Sequence, residues 1–348
     1  MNVNHEVNLD PGLGTFKTVF SERGEPIIET VAMEEALTKI VLAIEKGYRG
    51  IGLHSQTRFG KTFLSQYICK NLDWCPFSCV AVSAIVRAIG ITESAFMDWT
   101  IAQLGQRPIA RQSAQNRIDR VINTIEMILN NANVDRLLLV IDDANLIETA
   151  ALQHFATLDN ELEKRGKTIF VIFLFQDNHT SDKQEAINKL HAPPQIRGRF
   201  FTQFHQFHGI RSAKDLGVFL ERFEDDAEMA PGAGATLPRS LAPHLYDGAF
   251  RIAKCSQRLW DCGVQQRAAA GRKEFDEWPL QAVSVMAHYI ARRIITRPGF
   301  TEMTDRDLKM AIGYSDLVEY DSACAELNFT PDRGNLAAPE GGMEYGDA

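Results

Sequence analysis

The chain predicts an α/β fold built on a parallel sheet with helices on its faces, and three stretches predict it. Leu137-Leu138-Leu139-Val140-Ile141 is a continuous apolar run, as suits a strand buried on both faces. Thr168 to Phe175 is a second such run and the most apolar in the chain. The third, Ile51-Gly52-Leu53-His54, leads into Ser55-Gln56-Thr57-Arg58-Phe59-Gly60-Lys61-Thr62, and a helical pattern from Phe63 to Leu72 follows. Strand, Gly-Lys-Thr loop and helix form the context of a phosphate-binding loop. The backbone of Ser55, Gln56, Thr57, Arg58, Phe59 and Gly60, with the helix start at Lys61, Thr62 and Phe63, is expected to surround phosphate oxygens with N–H groups. The helix dipole favours the same charge. Lys61 is placed to reach the β- and γ-phosphates of ATP, and Thr62 to hold Mg²⁺ through its hydroxyl. The bland alternative is an ordinary strand-to-helix turn.

Asp142 and Asp143 end the Leu137 strand about 80 residues after Lys61. A carboxylate at the carboxyl end of a parallel strand lies at the sheet edge where ligands bind. Asp142 is the expected Mg²⁺ anchor, acting through the ion's water shell, and Asp143 the group that polarises an attacking water. An acidic turn after a strand is the competing explanation.

Taken in order, residues 1–29 carry Pro11, Gly12, Gly14, Gly24 and Pro26 with little periodicity and read as an arm over the surface. Thr30 caps a helix from Val31 to Lys46, with Met33, Leu37, Ile40, Val41 and Ile44 at helical spacing. Phe77 to Ser83 reads as a second buried strand, Thr92 caps a helix to about Leu104, and Ser113 caps one to Asn131. Arg107, Arg111, Arg117 and Arg120 stand against the single acid Asp119, a local charge of +3. A solvated helix face explains that cluster as well as a ligand does. After Asp143 the pattern gives a helix from Glu148 to Lys164, then the strand ended by Gln176. Gln176 is a candidate contact for the γ-phosphate or the attacking water, or else a plain loop residue. Arg197 and Arg199, in Ile196-Arg197-Gly198-Arg199-Phe200, form a basic pair that reaches a neighbour's nucleotide or else merely faces solvent. Phe201 to His208 alternates like a strand and puts His205 and His208 on opposite faces, which argues against a shared metal.

From Ser212 the pattern turns helical. The expected division is an arm over 1–29, a nucleotide-binding core over 30–209, a helical lid over 210–297, and a C-terminal extension over 298–348 ending in a disordered tail.

Composition narrows the classes. At 348 residues the chain accommodates a large domain and a smaller one, and 45% hydrophobic with 24% charged residues is the balance of a soluble globular protein. No apolar run approaches the length of a membrane span, and the first residues lack the basic start and apolar core of a secretory signal; a cytoplasmic protein with no membrane partner is expected. The six cysteines, at 69, 75, 79, 255, 262 and 324, contain no CxxC pair and read as reduced packing thiols. A net charge of −8 opposes indiscriminate nucleic-acid binding without excluding a local basic stripe.

These motifs in this order resemble the AAA+ ATPases: an N-terminal helix, a P-loop, an Asp-Asp strand, a polar-ended strand, Gly-Arg-Phe and a helical lid. Gly248-Ala249-Phe250-Arg251 is similar to the lid motif GxxR, which implies that Arg251 contacts nucleotide phosphate. Within that family the sequence resembles the transposition-regulator branch, TnsC and TniB, with MuB more distant. Gln56 to Thr62 is similar to that branch's ESRTGKT loop, Ile196 to Phe200 to its RF segment, and the Arg107 to Arg120 stretch corresponds to the region that grips DNA. The resemblance covers roughly residues 30–295. It implies an AAA+ P-loop core with an all-helical lid, ATP and Mg²⁺ as cofactors, and slow regulatory hydrolysis. It also implies a homo-oligomer, as a ring or helical filament on double-stranded DNA, with transposase subunits and a target-selection protein as partners.

The chain departs from the pattern at Asp143, where the family carries Glu, and at Ser55, where it carries Gly. Asp reaches about 1–1.5 Å less far, and misplacement of that order costs roughly 10²-fold in rate, so slow turnover is expected. Two other functions fit a P-loop: a signalling or defence ATPase that controls a protein partner without DNA, and a small-molecule kinase. The helical lid with its GxxR segment argues against the kinase.

Overall fold

The computed structural model describes residues 18–86, 92–176, 193–248, 250–272 and 276–328. Its centre is a five-stranded sheet made of β3 (Gly50–Ser55), β4 (Val80–Ile85), β5 (Arg136–Asp142), β6 (Thr168–Gln176) and β7 (Phe204–Gln206). The spatial order is β4-β5-β6-β3-β7, and every pairing is parallel. β6 therefore separates the strand of the phosphate loop from the strand of the acidic pair. Its register sets Ser55 opposite Gln176.

Alternation along the strands builds two cores. Leu138 and Val140 of β5 and Phe170, Ile172 and Leu174 of β6 join one cluster, while Leu137, Leu139, Ile141, Ile169, Val171, Phe173 and Phe175 join the other. Successive side chains of a strand point to opposite faces, so runs that are apolar at every position cover both. The second cluster is closed by α3 (Glu93–Gln103), α4 (Ala114–Asn131) and α5 (Gln153–Glu163). Thr92 and Ser113 cap α3 and α4 through their side-chain oxygens, each accepting from the backbone N–H three residues on.

The first cluster is larger than the sequence division implies. It takes in α1 (Val31–Glu45) and α2 (Lys61–Lys70). It continues through α7 (Ala213–Asp225), α8 (Leu237–Leu241), α9 (Pro243–Tyr246), α10 (Ser256–Ala269), α11 (Leu280–Tyr289), α12 (Asp305–Tyr314) and the start of α13 (Leu317–Asn328). The helices after residue 210 and the helices after 298 thus share one apolar core with a face of the sheet. Leu308, Ala311, Ile312 and Leu317, placed by sequence in an appended extension, are buried in it.

Several boundaries shift for physical reasons. Of the surface arm expected over 1–29, residues 1–17 lie outside the described residues, and 18–29 join the core: β1 (Val19–Phe20) and β2 (Pro26–Ile27) pair as a short hairpin, Ile27 and Ile28 are buried, and Lys70 Nζ donates to the Phe20 carbonyl at 2.7 Å. The strand expected over 77–83 begins at Val80, because Phe77 lies under the Arg136 guanidinium instead, 4.9 Å from ring centroid to Cζ. Arg197 and Arg199 stand on a short helix, α6 (Pro194–Phe200), where Pro194 takes a first-turn position that needs no N–H. His205 faces Gln203 Oε1 at 3.1 Å and His208 faces Glu277 Oε1 at 2.7 Å. Cys69, Cys75, Cys79, Cys255 and Cys262 are free thiols, and Cys79 contacts Cys75 at 3.7 Å between sulfurs. Of the tail expected over Asn328–Ala348, Asn328 ends α13, and 329–348 lie outside the described residues, as does Ala249 of the GxxR segment. No helix among the described residues is long and apolar enough to cross a membrane.

Candidate functional site

Residues far apart in the chain meet at the carboxyl edge of the sheet. β3 ends at Ser55, the loop turns through 56–60, and α2 starts at Lys61. Gly60 has φ +99°, and a Cβ there would lie 2.6 Å from Leu280 Cδ2. Only glycine accepts both the left-handed backbone and that approach. Ser55 has no such demand: it sits in the strand, buried and paired with Gln176, so a serine at this place is sterically ordinary. Arg58 is left-handed as well, at φ 66°, which a side-chain-bearing residue adopts only when held.

Lys61 is buried, at 8% exposure, and its Nζ donates to the carbonyls of Ser55 (3.0 Å) and Gln56 (2.8 Å). The ammonium is thereby fixed inside the curve of the loop rather than extended into solvent. Thr62 Oγ1 donates to Asp142 Oδ2 at 2.9 Å, which joins the loop helix to the end of β5. Asp142 Oδ1 accepts from the Asp143 backbone N–H at 3.1 Å. Burial pushes the Asp142 carboxyl above its ordinary value. The Thr62 hydrogen bond opposes that shift, the neighbouring Asp143 charge adds to it, and Lys61 opposes it more weakly.

The donor set fits Mg²⁺. A hydroxyl and a carboxylate, both hard oxygens, lie side by side below the phosphate loop, and Mg²⁺ takes one or two protein oxygens with water and phosphate completing its shell. Among the described residues no group of three or more His, Cys, Asp or Glu forms an all-protein cage. Thr62 and Asp142 are the residues that would hold the ion, which would supply charge neutralisation at the β- and γ-oxygens.

The sign of the Asp142 shift gives a test. A carboxyl raised by folding favours the folded state when protonated and disfavours it once pH passes its folded value. Asp142→Asn, which keeps an acceptor for Thr62, is expected to raise the melting temperature of the ligand-free protein at pH 7. It is expected to weaken Mg²⁺-dependent ATP binding in the same preparation. Differential scanning fluorimetry with and without Mg²⁺-ATP measures both; an unchanged or lower ligand-free melting temperature contradicts the assignment.

Gln176 ends β6 between the two strands. Its Nε2 donates to Thr57 Oγ1 at 2.7 Å, and its backbone N–H contacts Asn145 Oδ1 at 3.3 Å. Asn145, in the 3₁₀ turn after Asp143, carries no sequence signal for this part. Asp143 itself is left-handed, with φ 55°, and half-exposed at the same edge.

The other expected residues make contacts of their own. Arg251 donates to the Phe250 carbonyl at 2.7 Å, and its Cζ lies 5.4 Å from the Tyr246 ring centroid, so its charge is turned onto its own segment. The loop is touched instead by Leu280 and Gln281 at the start of α11 and by Tyr320 of α13. Arg199 is held on α5, with Nη1 donating to Asn160 Oδ1 at 2.9 Å and Nε 3.4 Å from the fully buried Asp159. Arg197 is exposed. Of the basic stretch, Arg117 is paired with Asp98 of α3 (2.9 Å) and with the Gln112 carbonyl. Arg107 and Arg111 are exposed, and Arg120 is half-buried.

No family model matches the sequence, and no curated protein does. Among solved structures the chain is similar to the ORC1 protein of Aeropyrum pernix in complex with DNA, at 12% identity and TM-score 0.40, over 84% of this chain and 85% of that one. It is similar to AMPPCP-bound DnaA from Aquifex aeolicus, at 13% identity and TM-score 0.34, over 86% and 90%. It is similar also to C. elegans PCH-2, at 12% identity and TM-score 0.39, over 83% and 68%.

Proposed function

We propose that the chain is an AAA+-type ATPase that binds Mg²⁺-ATP at the Lys61–Thr62–Asp142 edge and uses the bound state to assemble on duplex DNA, as a regulator of transposition. The 2.9 Å bond between Thr62 and Asp142 carries the nucleotide part of this reading. A chance Gly-Lys-Thr turn has no reason to meet the acid that ends a strand 80 residues away. Lys61 and the loop amides bind the phosphates, Thr62 and Asp142 orient the ion, and Gln176 and Asp143 flank the position of an attacking water. Asp143 takes the proton from that water. Its short side chain makes hydrolysis slow, which suits a switch better than a motor.

The DNA part is supported by the exposed Arg107 and Arg111, by the half-buried Arg120 beside them in the sequence, and by the likeness of the motifs to transposition regulators. Arg107, Arg111 and Arg120 are the phosphate-contacting residues in this reading, and Arg117, already neutralised by Asp98, contributes less. Contacts of this kind position a backbone without reading bases. The net charge of −8 makes a single subunit a poor binder, whereas an ATP-held oligomer aligns many copies of the patch. A transposase subunit and a target-selection protein are the proposed partners of that assembly. In fluorescence anisotropy of labelled duplex against salt with ATP, each of Arg107→Ala, Arg111→Ala and Arg120→Ala is expected to flatten the log–log slope by about 0.9. Affinity for all sequences falls alike, and Arg117→Ala has a smaller effect. Binding that ignores Arg107, Arg111 and Arg120 favours the signalling ATPase that works on a protein partner without DNA.

A further inference from the structure

The geometry points to Tyr320, on the C-terminal helix α13, as a positioning residue for the phosphate loop, so that nucleotide binding and the docking of α13 are coupled. This inference rests on the nucleotide-site reading and adds to it a regulatory contact from the end of the described chain. Tyr320 OH donates to the Thr57 carbonyl at 2.7 Å, across 263 residues of sequence. Its ring packs on Phe59 in a small buried cluster of these two residues, and the Arg58 guanidinium carbon lies 5.8 Å from the ring centroid. The next residue, Asp321, is fully buried and takes both Nε (2.6 Å) and Nη2 (3.0 Å) of Arg267 on α10. Arg267 also donates to the Glu277 carbonyl at 2.8 Å, just before α11. The Gln281 N–H of α11 then donates to the Arg58 carbonyl at 3.2 Å. Adjacent residues of α13 therefore fasten the phosphate loop and the helical unit together.

Peptide planarity turns these contacts into an effect on phosphate. In a trans amide the C=O and N–H point in opposite directions. Tyr320 holds the Thr57 carbonyl toward α13, which sends the Arg58 N–H to the other side; Gln281 does the same for the Arg58 carbonyl and the Phe59 N–H. Two successive amides are aimed by contacts from outside the loop, at the place where Arg58 keeps a left-handed backbone that L side chains disfavour. A loop so held presents its donors before ATP arrives. By linkage, ATP must in turn strengthen the docking of α13 by the same factor.

Tyr320→Phe removes the hydroxyl and keeps the ring. Calorimetry with Mg²⁺ and a non-hydrolysable ATP analogue is expected to show affinity about five-fold weaker than wild type, the effect of one hydrogen bond. Hydrogen exchange is expected to show the analogue slowing α13 amides in wild type, with most of that gain lost in Tyr320→Phe. A merely structural tyrosine would change α13 exchange equally with and without the analogue. An unchanged binding constant in the variant, or α13 exchange in wild type indifferent to the analogue, overturns the coupling while leaving the nucleotide site standing. A wild-type protein that binds no analogue, and so matches Lys61→Ala, overturns both.

Discussion

Lys61→Ala is expected to abolish measurable Mg²⁺-ATP binding in isothermal calorimetry, a loss of about 100-fold or more in affinity. The physical argument is charge at a desolvated place. Lys61 is 8% exposed, and its ammonium already donates to the carbonyls of Ser55 and Gln56. It therefore waits inside the loop without a search through side-chain conformers. Two hydrogen bonds from an ionised donor to phosphate oxygens contribute about 1.5–3 kcal/mol each, which sets the size of the loss. Alanine is a good helix former, so α2 keeps its first turn and the effect is read at the ligand. A binding constant unchanged in Lys61→Ala would remove the phosphate-loop assignment.

The second large effect separates two arginines that the sequence treats as a pair. Arg197→Ala is expected to lower ATP turnover in the assembled state by about 10³-fold while leaving thermal stability alone. An arginine supplied across a subunit boundary stabilises the charge of phosphoryl transfer by that order. Arg197 is exposed on α6 and available for such a role. Arg199→Ala is expected to behave differently. Asp159 is fully buried, and burial raises its carboxyl despite the Arg49 and Arg199 charges beside it. Removing one of the two cations costs stability of about 1–3 kcal/mol. Arg199→Ala then lowers the melting temperature, and turnover falls only as α6 loosens. Phosphate-release assays beside thermal melts, at protein concentrations that support assembly, distinguish the two. Equal melting temperatures in both variants, with the greater turnover loss in Arg199→Ala, would reverse the roles.

Much of the core was legible because its signals are local. The runs that form β5 and β6 are apolar at every position, which only a strand covered on both faces tolerates. Thr92 and Ser113 announce their helices by a capping oxygen, and Gly-Lys-Thr after β3 needs only its strand and helix to be recognised. What escaped depends on contacts across long separations. Ile27 and Ile28 follow a Pro/Gly-rich stretch without periodicity, yet they complete a core supplied by α1 and α7. Arg117 looks like a free charge until Asp98, on the neighbouring helix, is set 2.9 Å from it. Arg199 looks equivalent to Arg197 until α5 presents Asp159. Tyr320, in the stretch that the sequence places in an extension beyond the lid, gives no sign of reaching Thr57. The GxxR likeness implies a phosphate contact for Arg251; the side chain bonds to the Phe250 carbonyl, and no sequence signal marks Leu280, Gln281 and Tyr320 as the residues that touch the loop.

The most direct test of an ATP-gated assembly on DNA is sedimentation velocity of the wild-type protein with a fluorescent duplex, with and without a non-hydrolysable ATP analogue and Mg²⁺. The DNA signal is expected to move to a large, multi-subunit species only when the analogue is present. Protein that assembles with the analogue while the duplex sediments as free DNA would contradict the account and leave a nucleotide-controlled switch for a protein partner in its place.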